Sequence, residues 1–190
     1  MRKNLGVKPY FYPMPVLVIG TYNEDGTPNA MTASWGGIAN SDLVAICVDR
    51  GHKTLENLRE HKAFTIGIAT ESTLEAADYL GIDSGHKVPD KVARTGLTVV
   101  KSEFGDAPLC AEFAMSMECE MVKYDDEMEL LYGRIKNLGA DESVLDEKGN
   151  IDRFKLKPIT FDTVYNTYTA LGEQVGTAYK DGLKFRTKSE

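Results

Sequence analysis

The sequence predicts a mostly β fold with short helices, arranged as a closed or split antiparallel barrel. About six or seven short apolar or alternating stretches support this prediction, and turn signals join most of them directly. An open sheet of that size would leave two edges to protect, which favours closure. A chain of 190 residues can bury one substantial core, so we expect a single domain over 1–190.

The first strands are predicted close to the N-terminus. Residues 1–14 combine prolines with aromatic side chains and are expected to form an N-terminal arm. The β-branched run 16–22 predicts a strand covered on both faces, and Asp25-Gly26 is typical of a hairpin turn. Segments 28–34 and 42–48 follow as strands separated by a glycine pair, so we expect an antiparallel meander.

Helix signals come next. Thr54 precedes an amphipathic stretch that runs to about Lys62, which predicts a short helix capped by the Thr54 hydroxyl. After a strand at 63–69, Ser72 and Glu75 have the spacing of a capping box and predict a second helix. A third, short helix is expected to begin near Pro89.

The most regular strand pattern lies at 113–121, where apolar and polar residues alternate. The apolar face of this strand would comprise Phe113, Met115, Met117, Cys119 and Met121. Residues 129–138 are predicted to be its hairpin partner, and 158–161 a later short strand. The aromatic, glycine-punctuated segment 165–190 is suited to covering a pocket or a partner subunit.

Composition and charge exclude several function classes. The net charge of −7 and the pI near 5.1 disfavour binding to nucleic acid or to an anionic membrane. The apolar run at 14–19 is too short for a signal peptide or a membrane span, so we expect a cytoplasmic protein. Three cysteines without a C-x-x-C pair argue against disulfides and a zinc site, and each is expected to be buried.

Two segments are candidate binding sites. Segment 29–35 carries hydroxyls, an amide and the only tryptophan, and a planar polar ligand would satisfy such groups. Hydrogen bonds to neighbouring backbone in a bulged strand are the alternative, which the residue types alone favour. Segment 50–54, with the sequence RGHKT, gathers cations where a helix begins, so it would suit a phosphate or else form a solvated, capped loop.

These motifs resemble the flavin reductase-like family with an FMN-binding split barrel, and in particular its flavoredoxin branch. The resemblance rests on segments 15–21 and 25–37, with the sequences PVLVIGT and DGTPNAMTASWGG. Shorter matches occur at 53–58, 77–81, 95–97, 106–108 and 171–172. The resemblance implies a Greek-key-like antiparallel barrel that forms a homodimer, with FMN at the subunit interface. The chain departs from many relatives at Asp42-Leu43-Val44, where they have Asp-Pro-Pro.

The resemblance also implies roles for individual residues. The residues expected to line the isoalloxazine ring and the ribityl chain are Asn29, Ala30, Met31, Thr32, Ala33, Ser34 and Trp35. Arg50, Lys53 and Thr54 would hold the phosphate, and Tyr168 and Leu171 would approach the flavin from the C-terminal segment. No catalytic side chain is implied, because the flavin itself carries the redox chemistry.

Two functions are compatible with this resemblance. The first is an FMN-dependent oxidoreductase in which NAD(P)H donates electrons that pass through FMN to an acceptor. The alternative is an electron carrier that exchanges electrons with a protein redox partner and oxidises no pyridine nucleotide. The acidic surface suits docking to a basic partner but is too common among proteins to decide between them.

Overall fold

The computed structural model describes residues 1–186 and has a mostly β architecture with short helices. The helices are α1 (Lys53–His61), α2 (Leu74–Ile82), α3 (Lys91–Arg94) and α4 (Arg153–Leu156). The strands are β1 (Met14–Pro15), β2 (Leu17–Tyr22), β3 (Pro28–Ala33), β4 (Gly36–Asn40), β5 (Leu43–Cys47), β6 (Ala63–Ile68), β7 (Val99–Lys101), β8 (Pro108–Cys110), β9 (Met115–Asp125), β10 (Leu130–Ala140), β11 (Ile159–Asp162) and β12 (Thr167–Ala170). Within 1–186, no helix is long and apolar enough to cross a membrane.

Seven strands form one antiparallel sheet in the order β3-β2-β6-β9-β10-β5-β4. Its edge strands, β3 and β4, are joined only by Ser34 and Trp35. In a flat sheet the edges would lie about 29 Å apart, since neighbouring strands are about 4.8 Å apart. A two-residue connection spans only about 10 Å. The sheet must therefore curl into a half-barrel, which confirms the predicted split-barrel class.

The predicted three-strand meander is wrong. β3 pairs with β2, whereas β5 pairs with β4 and β10 on the other side of the sheet. The glycine pair read as a break begins β4, and a Cβ on Gly36 would lie about 3.0 Å from the carbonyl oxygen of Ala45. The glycine thus permits close pairing of β4 with β5, and the curl carries the chain from one edge to the other.

The hairpin of β9 and β10 supplies much of the core. Cys119 is buried and Met117 packs against the same apolar cluster, as the alternation at 113–121 predicts. Glu118, on the predicted polar face, is buried as well. Its carboxylate accepts hydrogen bonds from the Asn137 amide at 2.8 Å and from the Ser102 hydroxyl. A carboxylate bonded in this way tolerates burial that its charge would otherwise oppose.

Helix starts differ locally from the prediction. His52, and not Thr54, is the N-cap of α1, because the Thr54 side chain turns into the protein interior. The capping box expected at Ser72 forms earlier, where Thr70 and Thr73 bond reciprocally at the start of the 3-10 turn Glu71–Thr73. The third helix is a single turn, α3.

Both chain ends lie outside the large sheet. Residues 1–13 form neither helix nor strand and are exposed, and β1 then pairs with β11. The Tyr12 hydroxyl donates to Oδ1 of Asp162 at 2.5 Å, which joins the arm to the same small sheet. At the other end, β12 also pairs with β11, and residues 171–186 follow as an exposed segment. Exposed arms of this length are available for contact with another molecule.

Candidate functional site

The two polar segments picked out in the sequence meet in the folded chain. The amide Nδ2 of Asn29, on β3, donates to Oγ1 of Thr54 at 3.2 Å and to Oγ1 of Thr21 at 3.3 Å. All three side chains are buried. An unpaired polar group there would cost about 1–3 kcal/mol, so these bonds stabilise the contact between β3 and the first turn of α1.

A second buried amide extends this network. Asn57, on α1, donates to Oγ1 of Thr21 at 3.1 Å and to Oδ1 of Asn23 at 2.9 Å. Asn57 is only 1% exposed, so both bonds lie in the interior. The helix is therefore tied to the β2–β3 hairpin through Thr21, which fixes the direction in which its N-terminus points.

A pocket of about 280 Å³ opens between β3, the start of α1 and the segment after α2. It is lined by Asn29, Met31 and Thr32 of β3, by His52, Lys53 and Thr54, and by residues 80–85 with Lys91 on the opposite wall. The first N–H groups of a helix have no intrahelical acceptor, and the helix dipole is positive at this end. The pocket is thus suited to an anionic group.

Lys53 supplies a permanent cation to this pocket. Its ammonium contacts the carboxylate of Glu56 one turn along α1, which holds the pKa of Glu56 below its usual value. Nε2 of His86 lies 3.9 Å from the second carboxylate oxygen of Glu56. The Lys53 side chain is 19% exposed and hence largely sheltered from water. An anion entering the pocket would compete with Glu56 for this ammonium.

The remaining polar side chain of β3 is satisfied by the protein. The Thr32 hydroxyl donates to the backbone carbonyl of Ala77 on α2. Pairing of β2 with β3 has no bulge and the Thr32 acceptor lies on α2, so the alternative, hydrogen bonds to neighbouring backbone in a bulged strand, is wrong for Thr32 in both respects. Ala30 and Ala33 are buried in separate apolar clusters. Because β3 is an edge strand, its outward N–H and C=O groups can still bind a ligand.

Ser34 and Trp35 form the link that crosses the split between β3 and β4. Trp35 is 50% exposed, and its carbonyl accepts a hydrogen bond from the backbone N–H of Cys47 at 2.8 Å. Neither residue lines the pocket. An exposed indole offers an apolar face to a flat ring or to a partner chain.

Arg50 lies apart from the pocket, although it is close to Lys53 in sequence. Its Nε donates to Oε1 of Glu129 at 3.1 Å, and this carboxylate raises the pKa of Arg50. The side chain of Arg50 is 63% exposed. The structure thus brings Lys53 and Thr54 together at the pocket and directs Arg50 towards the β9–β10 hairpin.

Tyr168 and Leu171 also lie outside the pocket of their own chain. The Tyr168 hydroxyl donates to Oδ1 of Asp78 on α2 at 2.7 Å, and partial burial with this bond raises the pKa of Tyr168 to about 12. Leu171 borders a separate depression beside Phe154 and Lys157. Tyr168 therefore does not contact the pocket. It contacts α2, whose C-terminal end forms part of the pocket wall.

Sequence reasoning missed the wall opposite β3. Gly85 in this wall approaches so closely that a Cβ would lie 2.3 Å from Oδ1 of Asn29 and 3.2 Å from Cβ of Lys53. Lys91 closes the wall from the start of α3. Apart from the glycine and the basic residue types, the local sequence carries no signal that this segment folds over β3.

The cysteines and histidines contribute no metal site in the described part of the chain. No group of three or more His, Cys, Asp or Glu residues suited to a metal occurs within 1–186. Cys110 and Cys119 are buried, and burial raises their pKa values to about 11 and about 12. Cys47, predicted to be buried, is exposed because it ends β5 on the outer side of the sheet.

Comparison with known proteins identifies a family model and solved structures that share this fold. Residues 10–163 match the model of the flavin reductase like domain. The chain superposes on flavoredoxin of Desulfovibrio vulgaris (Miyazaki F) with a TM-score of 0.91 and 36% identity, covering 96% of this chain and 100% of that one. For flavoredoxin from Methanosarcina acetivorans the values are 0.87 and 25%, covering 97% and 100%.

A more distant structure shares the fold alone. It is described as a flavin reductase with a split barrel domain, from Shewanella frigidimarina NCIMB 400, and has a TM-score of 0.73 at 19% identity, covering 87% of this chain and 86% of that one. The domain match spans most of the chain, and the half-barrel described above agrees with it. The chain belongs to the flavin reductase like family of FMN-binding split barrels.

Proposed function

We propose that this chain is an FMN-dependent oxidoreductase that takes electrons from NAD(P)H and passes them through bound FMN to an acceptor. One observation carries the proposal: the Asn29–Thr54 hydrogen bond joins an anion-suited helix start to an edge strand that leads towards an exposed indole. FMN would need these three features in the same order: the helix start for its phosphate, the edge strand for its polyhydroxyl chain and the indole for its flat ring.

The residues present fit FMN. Lys53 and the first-turn amides of α1 would bind the phosphate, and the free edge of β3 would face the ribityl chain and the ring. Trp35 would contact the ring. When bound, FMN supplies hydride acceptance and electron transfer, and the chain holds and orients it. Accordingly, we assign no catalytic side chain.

We further propose that the protein is a homodimer with FMN at the interface. Tyr168 and Leu171, which the resemblance places near the flavin, lie outside the pocket of about 280 Å³ in their own chain, so a partner chain would have to supply such contacts. Large apolar side chains are exposed on both arms, on the β3–β4 link and β4, and at the end of α2, namely Phe11, Val175, Phe185, Trp35, Ile38 and Ile82. Association with a second chain would remove such side chains from water.

Light scattering coupled to size exclusion tests the dimer. The expected mass is twice the 21.0 kDa of one chain. A mass of one chain, measured with FMN bound, would contradict an interface site. Substituting Trp35 by Ala should weaken both flavin binding and association, since the indole would serve both.

The oxidoreductase itself is tested by spectroscopy. Purified protein, or protein mixed with FMN, should show a flavin band and quenched flavin fluorescence. Rapid bleaching of that band on stopped-flow mixing with NADH or NADPH is the expected result. A protein that neither carries nor binds FMN would refute the proposal.

An electron carrier is the second candidate, favoured by the 36% identity to a protein described as a flavoredoxin. The same stopped-flow experiment separates the two functions. Bleaching by either pyridine nucleotide excludes a pure carrier, whereas a stable flavin band that only a protein partner reduces supports it. The acidic chain, with a net charge of −7, would then favour a basic redox partner.

A further inference from the structure

A depression of about 170 Å³ lies beside α4 and is called the α4 depression below. It is lined by six residues, namely Glu71, Arg153, Phe154, Lys157, Ala170 and Leu171. Glu71 belongs to the 3-10 turn that leads into α2, whereas residues 80–82 at the other end of α2 line the pocket. Since α2 has 9 residues and spans about 14 Å, the two sites lie about that far apart along the helix.

Two cations line the α4 depression, and only one of them is paired. Nζ of Lys157 lies 3.4 Å from Oε2 of Glu71. Within 1–186, Arg153 forms no ion pair. Like charges four residues apart repel each other on a helix, so an anion bound between Arg153 and Lys157 would relieve their repulsion. Two cations against one carboxylate make this depression positive, on a chain whose net charge is −7.

The α4 depression also offers a flat surface. Cζ of Arg153 lies over the Phe154 ring, 4.4 Å from its centroid, and Phe154 is 56% exposed. Oδ1 of Asp152 accepts a hydrogen bond from the backbone N–H of Phe154 at 2.8 Å, which fixes the start of α4. Nucleic-acid bases stack on arginine and aromatic side chains, and an arginine can accommodate the 2′-phosphate of NADP. A stacking surface beside an unpaired guanidinium therefore suits a phosphorylated adenosine.

One reading is that these side chains only stabilise α4. The pair of Lys157 with Glu71 joins the end of α4 to the 3-10 turn before α2, and exposed ion pairs of this kind contribute little to stability. That role does not involve Arg153. It also leaves unexplained why a second cation lines the same depression.

We propose that the α4 depression binds the adenosine 2′-phosphate of NADPH. Arg153 and Lys157 contact the phosphate, and the adenine ring stacks on the surface that Arg153 and Phe154 form. The nicotinamide ring is at the opposite end of this dinucleotide, just as the pocket is at the opposite end of α2. The inference rests on the proposed function, because a nicotinamide donor is needed only if the chain reduces FMN. It names NADPH, and not NADH, as the preferred donor.

Stopped-flow mixing of the FMN-loaded protein with NADPH or NADH is the first test. The wild type should reach half of its maximal bleaching rate at a concentration of NADPH at least fivefold lower than that of NADH. Arg153→Met should raise this concentration at least fivefold for NADPH and leave it within twofold for NADH. The matched control Lys155→Met removes one charge from the same helix outside the depression, and should leave both values within twofold.

Binding of 2′,5′-ADP, the phosphorylated adenosine end of NADPH, gives a readout that needs no electron transfer. Titration calorimetry of the wild type should show 2′,5′-ADP bound at least fivefold more tightly than 5′-AMP. Lys157→Met should remove this preference, and it replaces Arg153→Met if that variant folds poorly. Glu71→Gln releases Lys157 from its ion pair and should tighten binding of 2′,5′-ADP at least twofold.

Several results would overturn the proposal. Equal affinity of the wild type for 2′,5′-ADP and 5′-AMP is one, and an equal effect of Arg153→Met on NADPH and NADH is another. A loss in Lys155→Met as large as that in Arg153→Met would show only general attraction of anions by a basic helix. Failure of both Arg153→Met and Lys157→Met to fold would make these two residues structural. If the wild type binds no FMN, or neither nucleotide bleaches it, the proposed function fails and the 2′,5′-ADP titration alone decides the binding site.

Discussion

The hydrogen bond between Asn29 and Thr54 holds the strand side and the helix side of the pocket together, and a double-mutant cycle measures it. Asn29→Leu removes the amide that donates to Thr54 at 3.2 Å and to Thr21 at 3.3 Å. Thr54→Val removes the acceptor and keeps the shape. Because Asn29 and Thr54 are 2% and 1% exposed, each substitution leaves a buried polar group short of a partner.

The expected magnitudes follow from that burial. Each single variant should lose about 1–3 kcal/mol of unfolding free energy. The double variant should lose about 1 kcal/mol less than the sum, because both substitutions remove the same bond. Urea unfolding of the flavin-free protein, followed by circular dichroism, gives these free energies. Thermal melts offer a second measure, at about 2–4 °C per kcal/mol.

A control cycle combines Thr54→Val with Asn137→Leu. The Asn137 amide binds Glu118 at 2.8 Å and shares no hydrogen-bond partner with Thr54. Those two substitutions should add to within about 0.5 kcal/mol. Equally additive behaviour of Asn29→Leu and Thr54→Val would refute a direct bond between them, and with it the physical link between the two halves of the site.

Three further outcomes follow from close contacts and burial. Gly85→Ala places a Cβ 2.3 Å from the amide oxygen of Asn29 on β3, so the wall must shift and the Kd for FMN should rise at least tenfold. The control Gly139→Ala, whose Cβ has no atom closer than 4.0 Å, should leave the Kd for FMN within twofold. Gly133→Ala places a Cβ 2.3 Å from the Phe64 ring and should cost about 1–3 kcal/mol in urea unfolding, and unchanged stability would contradict this packing. Cys47 is the exposed cysteine, so one thiol per chain should react quickly with a disulfide reagent in the native protein, and three should react after unfolding. Fast reaction of all three thiols in the native protein would refute the burial of Cys110 and Cys119.

Much of the local structure could be predicted from sequence, because its causes are local. The Asp25-Gly26 signal does form the turn between β2 and β3, with φ of +79° at Gly26. The β9 alternation identifies the face that places Met117 and Cys119 against the larger apolar cluster, because side chains in a strand alternate regardless of the partner strand, but it did not predict that Glu118 on the other face is buried too. The meander prediction failed because strand pairing depends on the curl of the whole sheet, which no single segment encodes.

The sequence by itself determined seven of the twelve strands within 1–186, and a polar strand followed by a cationic helix start, since each depends on neighbouring residues. Only the tertiary structure decided which cations line the pocket. Arg50 is three residues from Lys53, yet Glu129 on a distant hairpin holds it outside the pocket. Lys91 is far from Lys53 in sequence, yet the end of α2 brings it into the wall. Side-chain direction and long-range contacts decide these placements, and spacing along the chain does not report them.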